Sequence, residues 1–277
     1  MKNLKRILAV IGIILLAGMY VITLILALTD NSHAGNVLMA SLFATVVIPV
    51  LLYAFLLVYR WSHPKDTVIS KISEETSQID TVIFDLGKVL VHYDWRKLLQ
   101  DLKYKEETAQ AVAQAVFLSD DWTEGDRGRR SEEEILQSFI DNNPAYEKEI
   151  RETFQRMGET IKVCRYTHDW LRYLKKRGYK IYILSNFSKP LYDRCQRELK
   201  FLEMTDGGYM SWQIHMLKPE PEIYQKLIED FQIEPSKAVF IDDLLDNVAE
   251  ARAQGLHAVH FTGRKNTLRQ LAEFGVK

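Results

Sequence analysis

Two stretches near the start of the chain carry no charge, Ile7 to Leu28 and Val37 to Tyr59, with a short polar segment, Thr29 to Asn36, between them. At about 1.5 Å of rise per residue, roughly 20 helical residues cross the hydrocarbon core of a bilayer, so each run can span one. Pro49 would break a soluble helix but is tolerated in a membrane helix whose neighbours satisfy the freed carbonyl. The first run exceeds the roughly 7–15 apolar residues of a cleaved leader, and a second follows at once, which favours an anchor. Lys2, Lys5 and Arg6 precede the first run, Arg60, Lys65 and Lys71 follow the second, and the segment between holds Asp30 but no Lys or Arg. That asymmetry predicts a two-span hairpin over residues 1–60 in the cell membrane, with both termini and the bulk of the chain in the cytoplasm. Residues 61–79, polar and Ser-rich after Trp61, read as a linker.

From Asp80 the pattern changes. Thr81-Val82-Ile83-Phe84, Lys180 to Leu184 and Ala238 to Ile241 are short apolar, largely β-branched runs, as buried parallel strands require, and His257 to Phe261 reads as a fourth. Helical patterns lie between them. Strands alternating with helices predict a doubly wound, mostly parallel α/β sheet whose ligands bind beyond the carboxyl ends of the strands. Between Trp95 and Arg177 there is no strand-like run but four helical ones: Lys105–Phe117, Ser131–Asp141, Tyr146–Met157 and Tyr166–Lys176. Ser131 and Glu134 have capping-box spacing, and Asn143-Pro144 and Gly178 punctuate helix ends. The part over about 95–160 reads as a helical subdomain inserted above the exit of the first strand.

Composition narrows the function. Lys and Arg total 36 against 37 Asp and Glu, a net charge of -1, so no bulk electrostatic attraction to nucleic acid exists. The 2 cysteines, Cys164 and Cys195, lie far apart without Cys or His neighbours at metal spacing, which argues against a zinc ribbon, a redox pair or a disulfide scaffold.

Candidate chemistry sits at four positions in chain order. Asp85 follows the first strand in Phe84-Asp85-Leu86-Gly87-Lys88-Val89, and Ser185-Asn186 follows Leu184. Lys218 stands in Leu217-Lys218-Pro219-Glu220, and Asp242-Asp243 ends the third strand. Singly these have plain explanations: helix caps for the aspartates and for Ser185-Asn186, a solvated loop for Lys218. Together, in order on strand ends, they resemble the haloacid dehalogenase (HAD) superfamily of aspartate-nucleophile phosphohydrolases. The similarity covers residues 80–277, and the F-D-L-G-x-V first motif is closest to the helical-cap branch with glucose-1-phosphate phosphatases and the phosphatase domain of epoxide hydrolases. It implies a HAD-like Rossmannoid core with an inserted helical cap, here preceded by a transmembrane hairpin.

The resemblance implies a Mg²⁺-dependent phosphatase acting on a small phosphorylated metabolite, such as a sugar phosphate, through an aspartyl-phosphate. Asp85 is the expected nucleophile, which a cation must shield from the substrate's own charge. Asp85 and Asp242 are the expected metal-binding pair, with the Gly87 carbonyl as a third ligand by family analogy. Asp243 would support them from behind or through a metal-bound water. Ser185, the Asn186 amide and Lys218 are expected to hold the phosphoryl oxygens. Arg127, Arg129 and Arg130, in an expected loop Thr123–Arg130, read as a solvated basic loop before an anion clamp.

Two departures stand out. Where most relatives carry a second Asp, two residues after the nucleophile, this chain has Gly87. General acid–base help is typically worth about 10²–10⁴-fold, so the enzyme should favour acidic leaving groups or borrow an acid from water or the cap. The same glycine supports an alternative, a weakly active or inactive HAD fold kept as a regulatory or scaffold module at the membrane. Lys88 stands where relatives often have Gly or Asn, and contact with substrate or with solvent are equally open.

Overall fold

A computed structural model describes residues 79–276, all in the second of the two units, Met1–Thr76 and Ser77–Lys277, into which the chain divides. The expected membrane hairpin and nearly all of the linker lie outside the described residues. Among these, no helix is long and apolar enough to cross a membrane.

The described chain opens with β1 (Thr81–Phe84) and β2 (Val91–Tyr93). A helical insert follows: α1 (Trp95–Asp101), α2 (Glu106–Ala115), α3 (Asp120–Arg127), α4 (Glu132–Asn142) and α5 (Glu147–Arg156). Next come β3 (Ile161–Val163), α6 (Thr167–Lys176), β4 (Lys180–Ser185), α7 (Lys189–Cys195), β5 (Gly207–Met210) and the short α8 (Ser211–Ile214). The chain then forms α9 (Pro221–Asp230), β6 (Ala238–Asp242), α10 (Leu245–Ala253), β7 (His257–His260) and α11 (Arg264–Glu273).

Five strands make one sheet in the order β5-β4-β1-β6-β7, with every neighbouring pair parallel. Successive side chains of a strand point to opposite faces, and both faces are covered. Val82 and Phe84 join a core with Trp170, Leu171 and Leu174 of α6. Ile83, Tyr182 and Phe240 face the other way, against Ile223, Tyr224 and Leu227 of α9 and Val248 and Ala251 of α10. Phe84 meets Trp170 edge-on at 4.9 Å, and Tyr224 meets Phe240 likewise at 5.7 Å. This two-sided burial is why β1 reads as a continuous apolar run.

The structure adds strands that the apolar pattern does not show. β5 is Gly-Gly-Tyr-Met, with Gly207 and Gly208 at φ +140 and +128. A Cβ on Gly208 would lie 2.1 Å from the Ile183 carbonyl oxygen, so close approach to β4 demands glycine where propensity argues against a strand. β3 falls inside the region read as strand-free; with three residues it is too short for an alternation signal, and it forms through antiparallel pairing with β2. Thr123–Arg130 is also not a loop: most of it is α3, ended by Gly128 at φ +72.

Inside the insert, rings pack in series, Trp95 on Phe117 at 5.4 Å, Phe117 on Trp122 at 5.1 Å and Trp122 on Phe139 at 6.4 Å. The Ser131–Glu134 capping box is present with both reciprocal bonds. Cys164 and Cys195 are buried free thiols.

Two glycines separate backbone strain from steric conflict. Gly178, at φ +85, would bring a Cβ near no other atom, so Gly178→Ala should cost only about 1–2 kcal/mol for the left-handed backbone. Gly208→Ala adds a clash with the β4 backbone and should cost at least about 3 kcal/mol. Denaturant unfolding of both variants checks this; equal losses would contradict it.

Candidate active site

The sheet brings the site together. Phe84 stands in register between Ile183 of β4 and Ile241 of β6, so the next residue, Asp85, emerges beside Asp242, with Ser185 at the end of β4. Asp85 N–H donates to the Ile241 carbonyl at 2.9 Å, which carries the strand pairing one residue beyond β1. The chain then turns sharply: the Leu86 carbonyl accepts from the amides of Val89, Leu90 and Val91. Lys88 takes φ +58 in this turn, a left-handed position that explains why Gly or Asn suits it. Its side chain is exposed, and its ammonium lies 3.3 Å from Asp243.

Lys218 enters from the segment before α9. Its ammonium donates to Asp85 Oδ1 at 2.7 Å and to Asp242 Oδ2 at 2.6 Å, with only 2% of its side chain exposed. Its backbone is pinned by Asn186, whose Oδ1 accepts from Lys218 N–H at 2.8 Å and whose Nδ2 donates to the Lys218 carbonyl at 2.9 Å. Ser185 Oγ donates to Asp85 Oδ1 at 2.8 Å. Both Ser185 and Lys218 therefore hold the same oxygen of Asp85. Among the described residues, nothing donates to Oδ2.

These residues line a cavity of about 170 Å³ together with Gly87, Lys88, Asp243, Asn247 and Asp126. Its remaining wall is mainly aromatic and aliphatic: Tyr93, Trp122, Ile161, Phe187, Leu191 and Leu244.

A model of the haloacid dehalogenase-like hydrolase family matches residues 79–255. The chain belongs to that family. A HAD-family enzyme of Bacteroides thetaiotaomicron, solved as a magnesium complex, superposes with a TM-score of 0.56 at 21% identity, over 70% of this chain and 100% of that one. The chain is similar to a sesquiterpene phosphatase of Aspergillus oryzae (23% identity, 69% of this chain, 94% of the relative). It is also similar to a D-ribitol-5-phosphate phosphatase of Bacteroides thetaiotaomicron (29% identity, 61% of this chain, 85% of the relative). A drimenol cyclase of Aspergillus calidoustus matches at 26% identity over 70% of this chain, which spans only 36% of that protein's length.

Within this fold the paired aspartates have different surroundings. Asp242 is fully buried, and its oxygens are engaged by Lys218, the Leu244 amide and Asn247 Nδ2. Asp243 keeps an accessible carboxylate at the cavity wall, shared only with the exposed Lys88. Asp243 is thus the freer carboxylate, and Asp242 a buried partner of Lys218.

A divalent oxygen-seeking cation suits this donor set. Among the described residues no three His, Cys, Asp or Glu side chains converge on one point, as a zinc or protein-caged calcium site would need. The cavity instead offers the free oxygen of Asp85, Asp243 and the main chain at Gly87. One or two carboxylates with further oxygens are what Mg²⁺ usually takes.

Burial pushes the Asp85 carboxyl up to about 6, against the pull of Lys218 and aided by the charge of Asp242. For Lys218 burial acts downward, but the two carboxylates outweigh it and hold the ammonium above its ordinary value. The site so far carries more negative than positive charge.

Asp126, near the C-terminal end of α3, has no counterpart in the sequence expectations. It is 9% exposed and lines the same cavity. Burial, reinforced by the charge of Asp85, pushes its carboxyl up to about 8. The only sequence signal is its spacing four residues after Trp122, which places both on one face of the helix. The nearby arginines face acidic or carbonyl partners: Arg127 binds Glu220, Arg130 binds Asp121, and Arg129 reaches the His215 carbonyl. Arg127 and Arg129 thus tie the end of α3 to the core, and Arg130 pairs locally with the start of α3.

A raised carboxyl has a defined consequence for stability. Between about pH 4 and 8 the unfolded chain has released the Asp126 proton that the folded chain retains, so stability falls as pH rises through this window. Asp126→Asn removes this term. The variant's melting temperature, relative to the parent's, should rise between about pH 5 and 8 in metal-free buffer; an unchanged difference would contradict the assigned burial.

Proposed function

We propose that this chain is a Mg²⁺-dependent phosphomonoesterase that works through an aspartyl-phosphate on Asp85. The observation that carries this reading is the asymmetric holding of Asp85: Ser185 and Lys218 fix Oδ1 and leave Oδ2 to face the cavity. A buried carboxylate oriented in this way is prepared for in-line attack on phosphorus.

Lys218 offsets the charge of the nucleophile and of the arriving phosphate. Ser185 orients Asp85 in the resting site, and its hydroxyl can turn to a phosphoryl oxygen. Asn186 acts mainly by positioning the Lys218 backbone. Asp85, Asp243 and the Gly87 carbonyl would hold Mg²⁺, with Asp242 behind them; the ion would supply charge neutralisation at the phosphoryl oxygens. The F-D-L-G-x-V motif and the helical insert support a reading of the chain as a member of the helical-cap branch of the family.

The substrate's alcohol would lie against Tyr93, Trp122, Phe187 and Leu191. This wall has few hydrogen-bonding groups for a polyol. It therefore suits a small phosphorylated metabolite whose alcohol is largely apolar better than a sugar phosphate, although phosphatases of both kinds stand among the relatives. A membrane hairpin over 1–60, with the catalytic unit in the cytoplasm, would hold the enzyme where amphiphilic phosphates concentrate.

The test uses the full-length chain and p-nitrophenyl phosphate, whose good leaving group needs no acid. Hydrolysis should require Mg²⁺, stop with a chelator and fall about 1,000-fold or more in Asp85→Asn. Among alkyl-type substrates, hexyl phosphate should exceed ribitol 5-phosphate in kcat/KM. No turnover by folded protein would favour the regulatory module instead, and a preference for ribitol 5-phosphate would overturn the apolar assignment.

A further inference from the structure

The position where most relatives carry their proton donor is Gly87, yet ester cleavage still requires the leaving alkoxide to gain a proton. The described residues contain one other carboxyl in the cavity that neither pairs with Lys218 nor sits at the expected cation position: Asp126. It is nine-tenths buried, and among the described residues nothing hydrogen-bonds to its carboxyl. A carboxyl held at the wall of this cavity without a protein partner is available to whatever the cavity binds.

Its placement is fixed by the core, not by the insert alone. The Asp126 carbonyl accepts from Ser211 Oγ at 2.6 Å, and the same hydroxyl accepts from Phe187 N–H, next to Asn186, at 2.9 Å. Arg127 makes a two-pronged pair with Glu220 at 3.0 and 2.8 Å, and Glu220 accepts from the Leu217 amide at 3.1 Å. Gly128 packs so tightly on Trp212 that a Cβ would lie 2.6 Å from its Cα. The end of α3 is thus clamped to the segments that carry Asn186 and Lys218. Trp122, one turn earlier, shares the cavity face and supplies apolar surroundings.

We propose that Asp126 is the catalytic proton donor to the leaving-group oxygen, supplied by the helical insert in place of the carboxyl missing at Gly87. Asp85 Oδ2 forms a bond to phosphorus as the bond from phosphorus to the alkoxide oxygen breaks, and the Asp126 proton moves to that oxygen, releasing the alcohol. The Asp126 carboxylate then takes a proton from water as the water oxygen attacks phosphorus. The bond to Asp85 breaks, inorganic phosphate leaves, and both side chains return to their starting states. The raised affinity of Asp126 for its proton accords with this role.

This inference rests on the phosphatase reading, and the test separates the two. kcat/KM reports only the steps through leaving-group departure when that departure is irreversible. With Mg²⁺ and the full-length chain, Asp126→Asn should lower kcat/KM for hexyl phosphate by at least about 30-fold more than it lowers that for p-nitrophenyl phosphate, whose departure needs no acid. A cooperative thermal transition with the parent's circular dichroism shows that the variant folds. A second variant adds Gly87→Asp, whose Cβ would stand at an ordinary 3.7 Å from Asp85 Oδ2; it should recover hexyl phosphate hydrolysis in the Asp126→Asn background. Equal losses on both substrates that Gly87→Asp does not restore, or no loss on either, overturn the assignment. Absence of p-nitrophenyl phosphate turnover in the parent chain overturns the phosphatase reading and this one with it.

Discussion

A single buried ammonium holds this catalytic unit in order. Lys218 bridges Asp85 and Asp242 in a space almost closed to solvent, so three charged groups from three separate segments must arrive together. Such a cluster does little for net stability, because desolvation consumes most of the attraction, but removing one member strands the others and costs about 3–5 kcal/mol. Its value lies in orientation. Lys218 and Ser185 take one oxygen of Asp85 and leave the other without a donor among the described residues. Because two carboxylates share one ammonium, the cluster also retains negative charge, which suits the nearby oxygen donors to a cation.

The parallel sheet makes that cluster possible with short side chains. β1 is central, β4 and β6 flank it, and their carboxyl ends lie side by side. Asp85, Ser185 and Asp242 therefore meet without long reaches. Lys218 is the exception, coming from a loop, and the structure compensates by tying its backbone to Asn186 through reciprocal bonds. The helical insert adds an apolar wall and the clamped end of α3. The insert and the core are linked there through Arg127–Glu220 and Ser211, a few residues from Lys218.

Much of this was legible in the sequence because buried parallel strands announce themselves. The runs before Asp85, Ser185 and Asp242 are apolar on both faces, and polar residues at their ends mark the site. The rest was hidden for identifiable reasons. β5 depends on glycine to approach β4, so its composition argues against the strand that it forms. α3, with the sequence Asp-Asp-Trp-Thr-Glu-Gly-Asp-Arg, has too polar a pattern to distinguish a buried Asp126 from its solvated neighbours. The different surroundings of Asp242 and Asp243 emerge only from hydrogen bonding, since both letters are the same. Arg127 looked like a solvated charge because its partner, Glu220, lies 93 residues away.

The account stands on covalent chemistry at Asp85, and trapping that bond tests it most directly. During steady turnover of p-nitrophenyl phosphate with Mg²⁺, the protein would be quenched, reduced with borohydride and digested for mass spectrometry. An acyl phosphate is reduced to the alcohol, so the peptide containing position 85 should carry homoserine there, and only when substrate was present. Continued turnover with the Asp85 side chain unmodified under conditions that reduce a synthetic acyl phosphate would contradict the account and indicate direct attack by water.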